Sequence, residues 1–197
     1  MMNERLLKDI NFIVELDKMK SIYRRTEVIN ERKKEDDAEH SWHIAIMAMV
    51  LHEYSDEEID LLKTIKMLLV HDLVEIYAGD TFCYDKVSNG DKKDREERAA
   101  EKIFGLLAED KGEEFKALWE EFEAMETPEA RFSASMDRLQ PMLNNYNNGG
   151  GTWKEYSVSK KDIYKRIEPV KYSSKELWEF VLYMLEDAYN KGYIVKD

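Results

Sequence analysis

Apolar residues recur at three- and four-residue intervals along most of the chain, the spacing that keeps one face of an α-helix against a core. Leu6, Ile10, Ile13, Val14 and Leu16 form the first such stripe and predict a helix over about 4–20 with those side chains inward. The charged stretch from Asn30 to Asp37 breaks the pattern and reads as a loop. Asp36 or Asp37 then caps a second helix, with Glu39 in its first turn, that carries His40, Ile44, Met47, Ala48 and Leu51 inward. Ser55 followed by Glu58 has the capping-box form and predicts a third helix that runs through His71-Asp72 toward Tyr77 and ends at Gly79. The segment from Asp80 to Asp91, with the turn signal Asn89-Gly90, reads as a loop.

From Asp94 to Phe122 the helical period returns, with Ile103, Phe104, Leu107, Phe115, Leu118 and Phe122 as core candidates around a break near Lys111-Gly112. Thr127-Pro128-Glu129 combines an N-cap threonine with proline at the first helical position, opening a helix that carries Asp137 and Leu139 and meets Pro141. Asn144 to Gly151 reads as a glycine-rich loop. Ser173 or Ser174 caps a final helix over about 174–190, with Leu177, Phe180, Val181, Met184 and Leu185 facing the core. No stretch alternates at period two, so the expected class is all-α. The 197 residues suit a single domain, with a core of about 36–148 and the two terminal helices packed on it.

A formal charge of −12 opposes binding to a nucleic acid polymer or an anionic membrane surface. No apolar run is long enough to span a bilayer, and Met1-Met2-Asn3-Glu4-Arg5 lacks a signal-peptide pattern, so a cytoplasmic location is expected. The single cysteine, Cys83, cannot form an internal disulfide, in keeping with a reducing compartment.

One dipeptide stands apart from these patterns. His71-Asp72 interrupts the apolar run Met67-Leu68-Leu69-Val70 and Leu73-Val74, where an unpaired carboxylate would be expensive to bury. Such a pair must satisfy itself or share a cation. His40 on the second helix and Asp137 on the helix after Thr127 also sit beside apolar positions. Packed side by side, the three helices could bring two imidazoles and two carboxylates to one point, a mixed nitrogen and oxygen donor set suited to Mn, Fe, Co, Ni or Zn, with Mg also possible. Taken singly, each residue is as well read as a satisfied core group.

In order and spacing, His40, His71-Asp72 and Asp137 resemble the signature of the HD-domain metal-dependent phosphohydrolases. Ala38-Glu39-His40-Ser41, His71-Asp72-Leu73-Val74-Glu75-Ile76 with Gly79-Asp80-Thr81, and Asp137-Arg138-Leu139-Gln140-Pro141 look like the branch that contains bacterial and eukaryotic 5′-deoxynucleotidases. That resemblance implies a helical bundle and one divalent metal on His40, His71, Asp72 and Asp137. It also implies hydrolysis of a small phosphorylated metabolite, a nucleoside 5′-monophosphate and most readily the deoxy form, by a homodimer.

Within the same resemblance Glu75, one helical turn past Asp72, activates or orients water, and Asp80 faces the sugar or leaving oxygen. Arg24 and Arg25 are the phosphate candidates; Arg25 matches the position of the arginine that grips phosphate in this branch, and a guanidinium can bind two phosphate oxygens at once. Relatives that prefer deoxynucleotides carry a tryptophan beside that arginine, whereas this chain has Thr26. His43 shares a face with His40 and is expected to support it rather than ligate. Dinuclear HD enzymes draw further histidines from the region between His-Asp and the distal Asp; none occurs between Leu73 and Met136, which favours one metal. Two other readings are a hydrolase of an alarmone or a nucleoside triphosphate, and a non-catalytic helical binding module stabilised by its metal.

Overall fold

The computed structural model of the chain describes residues 3–85 and 90–195, so Asn89 of the expected turn lies outside the described residues. It is a helical bundle. The elements are α1 (Glu4–Glu15), a 3₁₀ turn (Leu16–Ser21), β1 (Tyr23–Glu27), β2 (Lys34–Asp36), α2 (Asp37–Leu51), α3 (Leu61–Val70), α4 (Glu75–Ala78), α5 (Lys92–Phe104), α6 (Glu109–Ala124), α7 (Pro128–Asn147), α8 (Gly151–Glu155), α9 (Lys160–Ile167) and α10 (Lys175–Asn190). Helices α2, α3 and α7 pack on one another, and α10 closes on α7 and the 3₁₀ turn Glu168–Tyr172. Their shared core includes Ile44, Met67, Phe132, Met136, Leu139, Ile163 and Leu185. A second apolar cluster, with Phe12, Val74, Ile103, Phe104 and Trp119, lies where α1, α5 and α6 meet the α3–α4 region. Among the described residues no helix is long and apolar enough to cross a membrane.

Several starts follow the local chemistry of the sequence. Asp36 caps α2 and forms a full capping box with Glu39, Thr127 caps α7 ahead of Pro128, and Ser174 caps α10. The third helix departs from expectation at both ends. Asp60, not Ser55, caps it, accepting from Lys63 N at 3.1 Å, while Ser55 Oγ is turned to the carbonyl of Glu57. After Val70 the backbone tightens into three-residue bonds, Leu73 N to Val70 O and Glu75 N to Asp72 O, so the expected continuous helix is split into α3 and α4 at His71-Asp72. Gly79, at φ +76°, stops α4.

Other expectations need correction. The stretch from Asn30 to Asp37 is not all loop, because Lys34–Asp36 pairs antiparallel with Tyr23–Glu27. On α1 the buried residue is Phe12, and the expected core stripe of Leu6, Ile10, Ile13 and Val14 is exposed. Phe180 is likewise exposed on α10, while Phe115 and Leu118 are only partly buried. Asn144 and Asn145 are buried residues of α7, not loop, and α7 continues through Pro141 even though proline cannot donate to the carbonyl of Asp137 four residues back.

The break expected near Lys111-Gly112 falls instead between Phe104 and Glu109. Gly112 lies inside α6 and lets it approach α5: a Cβ there would stand 2.7 Å from the carbonyl oxygen of Phe104. Gly112→Ala is therefore expected to destabilise the fold by about 1–3 kcal/mol despite alanine's better helix propensity. Urea unfolding of the two proteins would check the sign; a stabilised variant would contradict the close approach.

Candidate metal centre

α2, the turn after α3, and α7 deliver His40, His71, Asp72 and Asp137 to one buried point, the four residues that the sequence singles out. His40 Nε2 is 3.1 Å from Asp137 Oδ1 and 3.9 Å from Asp72 Oδ2; His71 Nε2 is 3.0 Å from Asp72 Oδ1 and 3.8 Å from Asp137 Oδ1. Donor atoms of His40, His71 and Asp72 all lie within 4.8 Å of one another. Both imidazoles are fixed from behind. His71 Nδ1 donates to the carbonyl of Leu68 at 2.8 Å. His40 Nδ1 donates to Gln140 Oε1 at 3.1 Å, and Gln140 is oriented in turn because its amide donates to Glu35 and approaches His43 Nδ1 at 3.2 Å. Each outer nitrogen is thus tied to the protein, which aims the Nε2 edge of both rings at the carboxylates.

His71 Nε2 is buried and makes no hydrogen bond despite its nearness to Asp72. A buried imidazole nitrogen without a hydrogen-bond partner, facing carboxylate oxygens, is a place that calls for positive charge, and a divalent ion with mixed N and O preference fits these residues. The electrostatics agree. Burial alone would lower the pKa of His71, yet Asp72 and Asp137 outweigh it and push it up to about 10. Burial raises Asp137, but the hydrogen bond to His40 and the nearness of His71 and Arg166 hold it well below the usual carboxylate range.

A family model described as the HD domain matches residues 16–178, spanning all of these elements. The chain belongs to the HD-domain family. Among solved structures, a Magnetospirillum magnetotacticum MS-1 protein described as a predicted metal-dependent phosphohydrolase superposes on this HD-domain chain with a TM-score of 0.95, at 43% identity over 100% of both chains. The mouse 5′-deoxynucleotidase HDDC2 is 35% identical over 114 residues, 58% of this chain and 56% of the mouse protein. A 5′-deoxynucleotidase of Schizosaccharomyces pombe is 30% identical over 112 residues, 55% of each chain. The chain thus matches little more than half the length of these curated relatives.

Around the cluster this HD-domain protein encloses a cavity of about 240 Å³. Glu75 and Asp80 both line it. Glu75 is buried, its Oε2 has no partner, and burial together with Asp72 and Asp37 pushes its pKa well above the usual range. Asp80 is half-buried and is raised in the same direction, by burial first, against the pull of Arg24. Both arginines line the cavity, and strand alternation divides them. Arg24 and Arg25 are successive residues of β1 and face opposite ways, so Arg25 is exposed at the mouth while Arg24 turns inward to Asp72 Oδ2 at 2.9 Å and Asp37 Oδ1 at 3.4 Å. His43 stays in its supporting place on Gln140.

Sequence reading missed Glu35, Asp37, Gln140 and Arg166. In the sequence Asp37 looks like a helix cap, yet it is wholly buried against Arg24, and burial with Asp72 nearby pushes its pKa up to about 7. Arg166, on α9, reaches Asp137 Oδ2 at 3.2 Å, and no local pattern links two residues 29 positions apart. Gln140 carried a usable signal: it lies one turn past Asp137 and is a polar residue in an apolar face.

Proposed function

We propose that this protein is a divalent-cation-dependent phosphomonoesterase acting on nucleoside 5′-monophosphates, most readily the deoxy forms. The observation that carries the reading is the unpartnered His71 Nε2, held by its Leu68 hydrogen bond toward Asp72 and Asp137 beside a cavity that also presents Glu75 and Arg24. The names of the mouse and fission-yeast relatives support the substrate class. His40, His71, Asp72 and Asp137 hold the ion. When bound there, a divalent cation supplies Lewis acidity to a phosphate oxygen and acidifies water.

The chain's own groups do the rest. Glu75 holds its proton more tightly than a solvated carboxylate, which suits it to take a proton from the attacking water and pass it toward the leaving oxygen. Arg24 clamps phosphate oxygens, with Arg25 at the mouth, and its present carboxylate partners keep its guanidinium in place. Asp80 faces the sugar or leaving oxygen. The buried walls exclude bulk water, and Thr26 lines the side where the sugar would lie. A panel of ribo- and deoxyribonucleoside 5′-monophosphates with Mn or Co added tests this: phosphate released from the deoxy forms is expected, and no release from any member would refute it. Cleavage restricted to triphosphates or alarmones would favour the neighbouring hydrolase reading.

The same reading includes a homodimer. Trp42, Ile46 and Val50 lie four residues apart along α2 and are exposed, and Leu62 and Leu69 are exposed on the adjoining α3. An apolar face of this kind is what an interface between two copies would cover. Light scattering at micromolar concentration is expected to give about twice the 23.4 kDa chain mass, falling to one copy in Val50→Glu. A monomer mass for the parent protein would rule the dimer out.

A further inference from the structure

One wall of the cavity holds more positive charge than a single phosphoryl group needs. Arg24, which clamps the scissile phosphate in the phosphomonoesterase reading, also pairs with Asp72 and Asp37. Beyond it, Arg138 of α7 and Arg166 of α9 both reach Asp137 Oδ2, at 3.4 and 3.2 Å, so two guanidiniums share one carboxylate oxygen. Among the described residues neither has another ion pair within 4 Å. Arg138 is nearly buried, its side chain 11% exposed, and its remaining contacts are the carbonyl of Ala134 at 2.8 Å and the sulfur of Met125 at 3.5 Å, a weak acceptor.

Methionine or leucine would fill the same space without the desolvation that a buried guanidinium entails. Both arginines line the cavity that holds the metal ligands, and both also line an adjoining groove of about 570 Å³; the two spaces share Cys83, Tyr84, Arg138 and Arg166. Lys165 adds a further cation on the groove side. Asp137 turns its other oxygen to the two imidazoles, so the arginine pair sits one carboxylate away from the metal ligands.

We propose that Arg138 and Arg166 bind a second anionic group of the substrate, so that the preferred class is a phosphomonoester carrying a further phosphate near the scissile one, as in a nucleoside with two phosphates. This rests on the phosphomonoesterase reading and narrows it. Two guanidinium forks can take several phosphate oxygens, and an incoming dianion would give each arginine the counter-charge that Asp137 now divides between them.

The test compares deoxyadenosine 5′-monophosphate with deoxyadenosine 3′,5′-bisphosphate, in which both phosphates are monoesters, in the presence of Mn, with products identified by chromatography. For the parent protein kcat/KM is expected to be at least about tenfold higher for the bisphosphate, the effect of one charge-assisted contact. In Arg166→Met and in Arg138→Met that ratio is expected to fall to about one. The ratio is the readout because losing a contact to Asp137 slows every substrate alike. A parent ratio near one, or a ratio unchanged in both variants while all rates fall together, would reduce the arginines to supports of Asp137. No phosphate from any member would instead sink the phosphomonoesterase reading itself.

Discussion

Glu75→Gln is expected to lower kcat by about a thousandfold while leaving the thermal response to Mn intact. Glutamine keeps the length and polarity of the side chain but cannot accept the water's proton. Glu75 is buried, its Oε2 has no partner, and it lies near Asp72 and Asp37, so as a charged group it adds a third negative charge to a crowded site. Burial and those neighbours raise its pKa in the folded protein. Such a carboxylate favours folding at pH values below its unfolded pKa and loses that contribution as pH rises toward the folded value. A neutral amide removes this penalty, and the metal-free variant should melt at or above the parent temperature near neutral pH. Turnover persisting at the parent rate would remove Glu75 from proton transfer. Loss of the Mn response together with turnover would make it a ligand instead.

The second large effect concerns the ion. A cation present at about a thousand times its Kd stabilises the folded state by about 4 kcal/mol, which for a chain of this size is an increase of about 10 °C in Tm. His71→Ala is expected to lose most of that increase. The comparison must be between metal-loaded and chelated forms of each protein, because the His71 ring packs 4.7 Å from the ring of Phe122 and its loss lowers Tm in both forms. Leu68 fixes the ring so that Nε2 faces the carboxylates, and no other described side chain lies ready to replace that nitrogen. If the variant kept the full increase, the ion would have to sit on Asp37, Asp72 and Glu75, the other trio whose oxygens lie within 4.8 Å of one another.

Local chemistry made much of this fold legible. Asp36 with Glu39, Thr127 with Pro128, and Ser174 cap helices through side-chain bonds made within a few residues, and these depend on little outside their own segments. His40, His71, Asp72 and Asp137 stood out because each is a polar group in an apolar face, a conflict visible in a string of letters, and the structure brings them together. The β1–β2 hairpin was hidden because its strands, Tyr-Arg-Arg-Thr-Glu and Lys-Glu-Asp, carry no apolar alternation; its inward residues Arg24 and Glu35 are charged and pair with the site, Arg24 with Asp72 and Asp37 and Glu35 with Gln140. The break after Val70 was hidden for the opposite reason, since Leu73 and Val74 are apolar and continue the helical period across a tightened turn. The exposed stripe on α1 has the same period as a core-facing one, and periodicity does not distinguish a face that meets this chain's core from one that does not. Arg166 and Asp37 enter the site only through tertiary packing.

In the proposed reaction one divalent ion on His40, His71, Asp72 and Asp137 is required for phosphate release. The most direct test is a titration of chelator-stripped protein with Mn, measuring phosphate freed from a deoxynucleoside 5′-monophosphate alongside bound metal at each step. Activity is expected to be absent without metal and to rise with bound Mn up to one equivalent per chain. Full activity in the stripped protein, or a stoichiometric metal load that frees no phosphate, would contradict it.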